Sequence, residues 1–283
     1  MRTQTDPLAF KNILVGVDFS SYSKIVVKQA LRLARQFKAD VTLVHAAAFP
    51  MSFDADYTMM RNTTVDLESI GNSLRKFYHV DAQSKIRIVV KEGDPADIVL
   101  GVAKKLASPL ILVGSQGQGT LSRFLVGSDA ENIALKSPYP VWVHRGRKTV
   151  PLHKIVVPTD LSVGSQTLMK KLKNWNIGKN ISLKYLFVRP ASVPMINYPQ
   201  YREAMDKIRD DLSKTLQYFK KQGPQIPLIT AVGNTAEKIT QIGHRYDVIA
   251  MNPRHHSGFL SSYGHLTSKV MRLSHNPVLV LKS

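Results

Sequence analysis

Two tandem α/β domains, each a parallel β-sheet covered by helices on both faces, are predicted by three observations on this chain. The first is an internal repeat. Asn12–Ser20 (NILVGVDFS) is matched by Lys154–Ser162 (KIVVPTDLS), Gly93–Ile98 by Gly233–Ile239, and Ser137–Val143 by Ser274–Val280, at offsets of 142, 140 and 137 positions. Three matches in one order at a nearly constant offset mean tandem duplication. The second is alternation: short apolar runs are separated by segments of helical periodicity, the pattern of βαβ crossovers. The third is length. At roughly 100–200 residues per domain, 283 residues hold two, with the boundary in the basic, Gly- and Pro-containing stretch Arg145–Leu152. The expected domains are 1–148 and 149–283.

The elements run in order along the chain. Ile13–Val17 is a continuous, β-branched run, as a strand buried on both faces requires. Ser20-Ser21 offers an N-cap, after which Ile25, Val26, Ala30, Leu33, Ala34 and Phe37 keep helical spacing. Val41–Val44 reads as the second strand. Leu67, Ile70, Leu74 and Phe77 form the stripe of a helix from about Asp66 to Tyr78. Ile86–Val90 is the third strand, and Asp94 opens a helix over Pro95–Leu106 with proline at its first position. Leu110–Val113 is the fourth strand, Ala130–Leu135 a helix, and Val141–Val143 the fifth strand. The second half repeats this over Ile155–Val157, Thr167–Leu172, Ile181–Phe187, Tyr201–Phe219, Leu228–Ala231, Ala236–His244, Val248–Met251, Leu266–Leu273 and Val278–Leu281. Phe49–Asn62, polar and Met-rich, is assigned to no element and is a candidate lid.

Composition narrows the function classes. A hydrophobic fraction of 43% suffices for a buried core. The absence of cysteine removes disulfides, thiolate nucleophiles and Cys-ligated metal centres. No run approaches the about 18 consecutive apolar residues of a membrane span, and the first residues lack a signal peptide's apolar core. A cytoplasmic protein with no membrane partner is expected. The formal charge of +19 suggests an anionic partner, yet it is unevenly spread. Positions 1–150 carry 20 basic and 13 acidic residues, the remainder 19 and 7. No aromatic residues interleave with the basic ones on a strand platform, so specific nucleic-acid binding is not expected.

Ligands of doubly wound sheets bind beyond the carboxyl ends of the strands, at the switch point, which directs attention to the segments after strands one and four. After strand four stands Gly114-Ser115-Gln116-Gly117, then Gly127-Ser128-Asp129, with the spacing G-x2-G-x9-G-S. Glycines directly after a strand let backbone N–H groups approach phosphate oxygens. Gly127-Ser128 precedes a helix whose free amides and positive end would face an anion, and Ser128 adds a hydroxyl. Asp18 ends strand one across the switch point, where it would accept hydrogen bonds from a ribose or base, or cap the following helix; the two roles are compatible. Asp129 would help to hold Mg2+ on the phosphates, or serve as a first-turn helix acid.

With these residues the chain resembles the universal stress protein family in its tandem form. The glycine spacing, the strand ending in Asp-x-Ser, the Gly-Asp-Pro-Ala segment and the closing Pro-Val-x-Val strand carry the resemblance over nearly the whole chain. It implies two flavodoxin-like or Rossmann-like (HUP-type) domains, each a five-stranded parallel sheet of order 3-2-1-4-5, and ATP binding in many members and none in others. Carried over by position, the nucleotide would meet Asp18 with Gly16 and Val17 beside it, and Ala46 after strand two. Val113, Gly114, Ser115, Gly117, Gly127, Ser128 and Asp129 would complete its site. Two departures are Gln118, where members often have a basic residue, and Gly16, where proline is frequent.

In the second half, aligning Gly264 with Gly127 puts Met251 at the first glycine, Arg254 at the second and His265 at the serine, so one nucleotide site is expected, in the N-terminal half. Asp160 survives there as a helix cap. His255-His256 beside His265 reads as a surface loop, since adjacent histidines do not readily converge on a metal and no carboxylate lies nearby. Walker A, H-E-x-x-H and G-x-S-x-G patterns are absent, so no catalytic residue is assigned. The resemblance, with the glycine loop of the first half, implies stress-linked regulation through ATP with Mg2+, by a homodimer that acts on an unidentified protein partner. The alternative is a nucleotide-free dimerising scaffold, using the closing strands that in related proteins pair between domains.

Overall fold

Strand β1 (Asn12–Gly16) begins the N-terminal half, and its central residues Ile13, Leu14 and Val15 are fully buried. The computed structural model describes residues 10–47, 66–80, 85–115, 127–161, 165, 167–168, 170–172, 181–189, 213–214, 217, 227–253 and 265–282. Helix α1 (Ser21–Phe37) comes next, then β2 (Asp40–Ala47), α2 (Leu67–Phe77), β3 (Ile86–Glu92), α3 (Pro95–Ala103), β4 (Pro109–Gly114), α4 (Ser128–Lys136) and β5 (Val141–His144). Strand pairing is parallel throughout, in the order β3-β2-β1-β4-β5. Right-handed crossovers then put α1 and α2 on one face. Because the order reverses at β1, α3 and α4 lie on the other face, where they pack together.

The C-terminal half contains β6 (Lys154–Thr159), β7 (Ser182–Arg189), β8 (Leu228–Val232), α5 (Thr235–Gly243), β9 (Val248–Met251), α6 (His265–Leu273) and β10 (Val278–Val280). Helical backbone at 170–172 falls within the expected Thr167–Leu172 helix, and 213–214 within the expected Tyr201–Phe219 helix. Phe49–Asn62 lies outside the described residues. The pairs β8–β7, β7–β6, β6–β9 and β9–β10 are all parallel, so the same 3-2-1-4-5 order recurs. The two compact units divide between Val150 and Pro151.

Each sequence repeat corresponds to a repeated local device. After β1, Phe19 adopts a left-handed φ of 61°; after β6, Leu161 does so at 64°. Such a backbone costs a bulky residue on the order of 1–3 kcal/mol, and both halves carry it at the strand-to-helix corner. Gly93 and Gly233 turn at φ 137° and 143°, values for which glycine is the natural residue. The next residues, Asp94 and Asn234, cap α3 and α5 by accepting the amides of Asp97 and Glu237. Before the last strand of each half, the Ser137 hydroxyl donates to the Tyr139 carbonyl and accepts the Tyr139 amide; Ser274 does the same with Asn276. The duplication is thus visible in dihedral angles and caps as well as in letters.

The N-terminal half closes beyond its last strand. Gln29 on α1 is fully buried. Its Nε2 donates to the Val150 carbonyl at 3.1 Å and its Oε1 accepts the Val150 amide at 2.8 Å. Both polar ends of a buried side chain are thereby satisfied by one backbone residue.

Candidate functional site

The switch point of the N-terminal half lies where β1 and β4 run side by side, Val15 opposite Leu112. Gly16 ends β1. A Cβ there would lie in ordinary van der Waals contact with Val113 at 3.5 Å and Val99 at 3.7 Å, so the end of β1 packs beside β4 and α3. Val17 is buried and donates its amide to the Val44 carbonyl at 2.9 Å. Its own carbonyl lies 2.8 Å from His45 Nδ1, which ties the end of β1 to the end of β2. Ala46, half-buried, is the next residue of β2 and sits opposite Lys91.

Asp18 is half-buried at the corner. One carboxylate oxygen accepts both the amide of Ser20, at 3.1 Å, and its hydroxyl, at 2.7 Å. Ser20 is the N-cap of α1, accepting the Ser23 amide at 3.0 Å. Asp18 therefore orients the cap instead of being it, because the left-handed Phe19 inserts one residue between strand end and helix start. Tyr78, the C-cap of α2, hydrogen-bonds the Ser23 hydroxyl. Burial raises its phenol pKa; the Ser23 hydrogen bond opposes this and the Asp18 charge adds to it. Phe19 meets His45 and Phe77 edge-on at 5.2 and 5.5 Å, and Lys24 Nζ lies 3.8 Å from the Phe77 centroid. An aromatic wall thus flanks the carboxylate.

Val113 is buried and Gly114 half-buried at the end of β4, and Ser115 is buried one residue on. The Ser115 amide donates to the His144 carbonyl at 3.1 Å, and the Ser115 carbonyl accepts the Gly127 amide at 3.0 Å. That second bond brings the two ends of the glycine segment together. Gly127 is the N-cap of α4 in an extended conformation and supplies no side-chain cap. A Cβ at Gly127 would meet nothing within 4 Å among the described residues. Ser128 and Asp129 open the helix, both exposed, with Ser128 Oγ 3.5 Å from Asp129 Oδ1. The helix thus starts two residues before its apolar stripe. Gly117 lies outside the described residues, as do Gln118, Arg254, His255 and His256. Among the described residues no three His, Cys, Asp or Glu side chains gather to hold a metal ion.

Three participants escape sequence reading. Tyr22 on α1 donates its hydroxyl to the His144 carbonyl at 2.9 Å, with Ser115 Oγ 3.3 Å away. Burial raises its phenol pKa, against the opposing hydrogen bond from Ser115 and the charge of Arg145. His144 is fully buried, and burial pulls its pKa down to about 4. Tyr78 is the third. Nothing in helical periodicity could have found them, since they act across 55 to 122 positions of sequence.

The second half builds this corner differently. Strand register sets Val248 opposite Ile155 as Leu110 is opposite Ile13, so Asn252 stands at the position of Gly114 and Met251 at that of Val113. This corrects the placement of Met251 at the first glycine: counting back from Gly264 skips a one-residue difference in the intervening segment. Pro253 then matches Ser115. His265 begins α6 as Ser128 begins α4, and α6 has no acidic residue in its first turn. Asp160 accepts the Ser165 hydroxyl at 2.8 Å.

A parallel sheet of order 3-2-1-4-5, with a helix that starts on a glycine at its switch point, defines a class: doubly wound α/β domains. Sequence comparison narrows the class. The profile of the Universal stress protein family matches residues 9–145 and again 151–282, so the chain belongs to that family. A universal stress protein of Mycolicibacterium smegmatis is 21% identical over 287 aligned positions, covering 95% of this chain and 96% of its own. One from Methanocaldococcus jannaschii is 27% identical over 138 positions, covering 47% of this chain and 81% of its own. The crystal structure of a universal stress protein from Archaeoglobus fulgidus superposes with a TM-score of 0.64 at 17% identity, covering 99% of each chain. No described helix is long and apolar enough to cross a membrane.

Proposed function

We propose that the N-terminal half binds one adenine nucleotide, ATP with Mg2+, and that its occupancy makes the chain a nucleotide-responsive regulator in the stress response. The observation that carries this reading is the start of α4. Its glycine cap is extended, open on the side a Cβ would occupy, and provides no side-chain acceptor for the first-turn amides. Helix starts of this kind favour anions through free N–H groups and the positive end of the dipole. Gly114, Gly127 and Ser128 would hold phosphates and ribose, with Ser115, its amide and hydroxyl already engaged by His144 and Tyr22, lining the corner behind them. Asp18, with Gly16, Val17 and Ala46 at the neighbouring strand ends and Val113 beside Gly114, would receive the ribose and base.

Asp129 and Glu131 in the first turn of α4 add negative charge near an incoming phosphate. A divalent cation held by Asp129 would neutralise that repulsion, and this is why Mg2+ is part of the proposal. Gly117 belongs to the same reading through its spacing. The test is calorimetric titration of the full chain with ATP and Mg2+, beside Gly117→Arg. Heat from the wild type and none from the variant is expected; no heat from the wild type would overturn the reading. The second half, with Asn252, Pro253 and His265 at the matching positions, is read as nucleotide-free.

A further inference from the structure

We propose that Tyr22 is a positioning residue of the phosphate corner: its hydroxyl fixes Ser115, and through the Ser115 carbonyl it fixes the Gly127 amide at the start of α4. This inference rests on the nucleotide reading above and adds a residue that the glycine motif does not contain.

Proton accounting gives the network a direction. A phenol has one hydrogen, and Tyr22 spends it on the His144 carbonyl at 2.9 Å. At the 3.3 Å contact between the two hydroxyls, the Ser115 Oγ–H must therefore be the donor and the Tyr22 oxygen the acceptor. The Ser115 amide donates to the same His144 carbonyl at 3.1 Å. One carbonyl at the end of β5 thus gathers a donor from α1 and a donor from the end of β4. Ser115 is held through its amide and its hydroxyl, and is 2% exposed. Its carbonyl is then a fixed acceptor for the Gly127 amide at 3.0 Å.

That last bond matters because Gly127 has the widest conformational freedom of any residue type and no side-chain cap steadies the helix after it. Where α4 begins is set by the Ser115 carbonyl. An anion site made of backbone amides works only if those amides are held in place before the anion arrives.

The second half provides an independent comparison. At the corner offset of 142, Gly164 stands where the first half has Tyr22. At the register of β9, Pro253 stands where it has Ser115. Proline has neither hydroxyl nor amide hydrogen, so the two bonds by which Ser115 is held have no counterpart there. The anchor and the first two glycines of the motif are missing from the same half.

The experiment uses the full 15N-labelled chain and three measurements: amide exchange at Gly127 and Val15 without nucleotide, thermal unfolding, and titration with ATP and Mg2+. Tyr22→Phe keeps the ring and removes the hydroxyl; Ser115→Ala is the second variant. In both, ATP affinity should fall by about tenfold for one lost hydrogen bond, and Gly127 exchange should accelerate by more than Val15 exchange, which follows only the global loss of a few degrees in the unfolding midpoint. A tyrosine with a merely structural role would accelerate Val15 and Gly127 alike and leave ATP affinity at its wild-type value, which would overturn the proposal. So would unchanged Gly127 exchange, or unchanged ATP affinity in a wild type that binds. Accelerated Gly127 exchange in a chain whose wild type binds no ATP would overturn the nucleotide reading and support Tyr22 as the anchor of the α4 start.

Discussion

The two halves share a strand order, a strained corner and a set of caps, and differ in the residues after their fourth strands. Phe19 and Leu161 are left-handed at φ 61° and 64°, although of the three motif glycines the second half keeps only Gly264. The corner is therefore a property of the fold, and its strain is no mark of ligand binding. The corner after the fourth strand behaves differently. Gly114, Ser115 and Ser128 give way to Asn252, Pro253 and His265, and Tyr22 to Gly164. What both halves keep is architecture; what one half lacks is the set of groups that would hold an anion.

The largest test of that division is in the core. Ile13 and Ile155 occupy equivalent positions on β1 and β6 and are both fully buried. Truncating either to alanine should cost about 4 kcal/mol, read as a shift in urea-unfolding midpoint of the half concerned. Unequal costs would break the claim that the architecture is shared.

The next test separates the halves. His144 lies opposite Gly114, and Leu281 occupies the matching position in the second half. Burial lowers the His144 pKa from 6.5 to about 4, so the folded chain keeps this ring neutral where the unfolded chain takes up a proton. Stability is lost as pH falls from 6.5 towards 4. Between pH 7 and 5 the first half should lose about 2 kcal/mol relative to His144→Gln, and Leu281 gives the second half no such term. Urea titrations of both chains at the two pH values would measure it, and parallel pH dependences would remove the assigned origin.

The smallest test returns to what is shared. Asp94→Ala and Asn234→Ala each remove a side-chain cap and should cost about 1 kcal/mol apiece, measured by thermal unfolding. The shorter bond of Asp94, 3.0 Å against 3.3 Å for Asn234, predicts the larger loss for Asp94.

Much of this was legible in the residues. The repeat, the order of elements and the caps at Ser20 and Asp94 come from local chemistry, because strands, turns and caps are decided within a few positions. The family and its fold were readable in the glycine spacing and the Asp-x-Ser strand. Asp18 stands at the end of β1, as the strand pattern leads one to expect, but its division of labour with Ser20 depends on a left-handed Phe19 that no propensity foretells. The Met251 alignment slipped because glycine matching counts across a segment of unequal length, whereas hydrogen-bond register counts along paired strands. Tyr22 and His144 were invisible for a further reason: a tyrosine in a first helical turn acquires its role only when β4 and β5 are laid beside it.

The clamp between Gln29 and Val150 bears on where such a chain can be cut. Family likeness stops at residue 145, yet the last backbone group that the first half needs is at Val150. A fragment ended at Arg145 would leave both polar ends of a fully buried glutamine without acceptor or donor, at about 1–3 kcal/mol for each. A fragment ended at Val150 would leave none. The stretch that reads as connector by composition is thus the last piece of the first fold, and the five residues between the two end points separate an inherited boundary from a physical one.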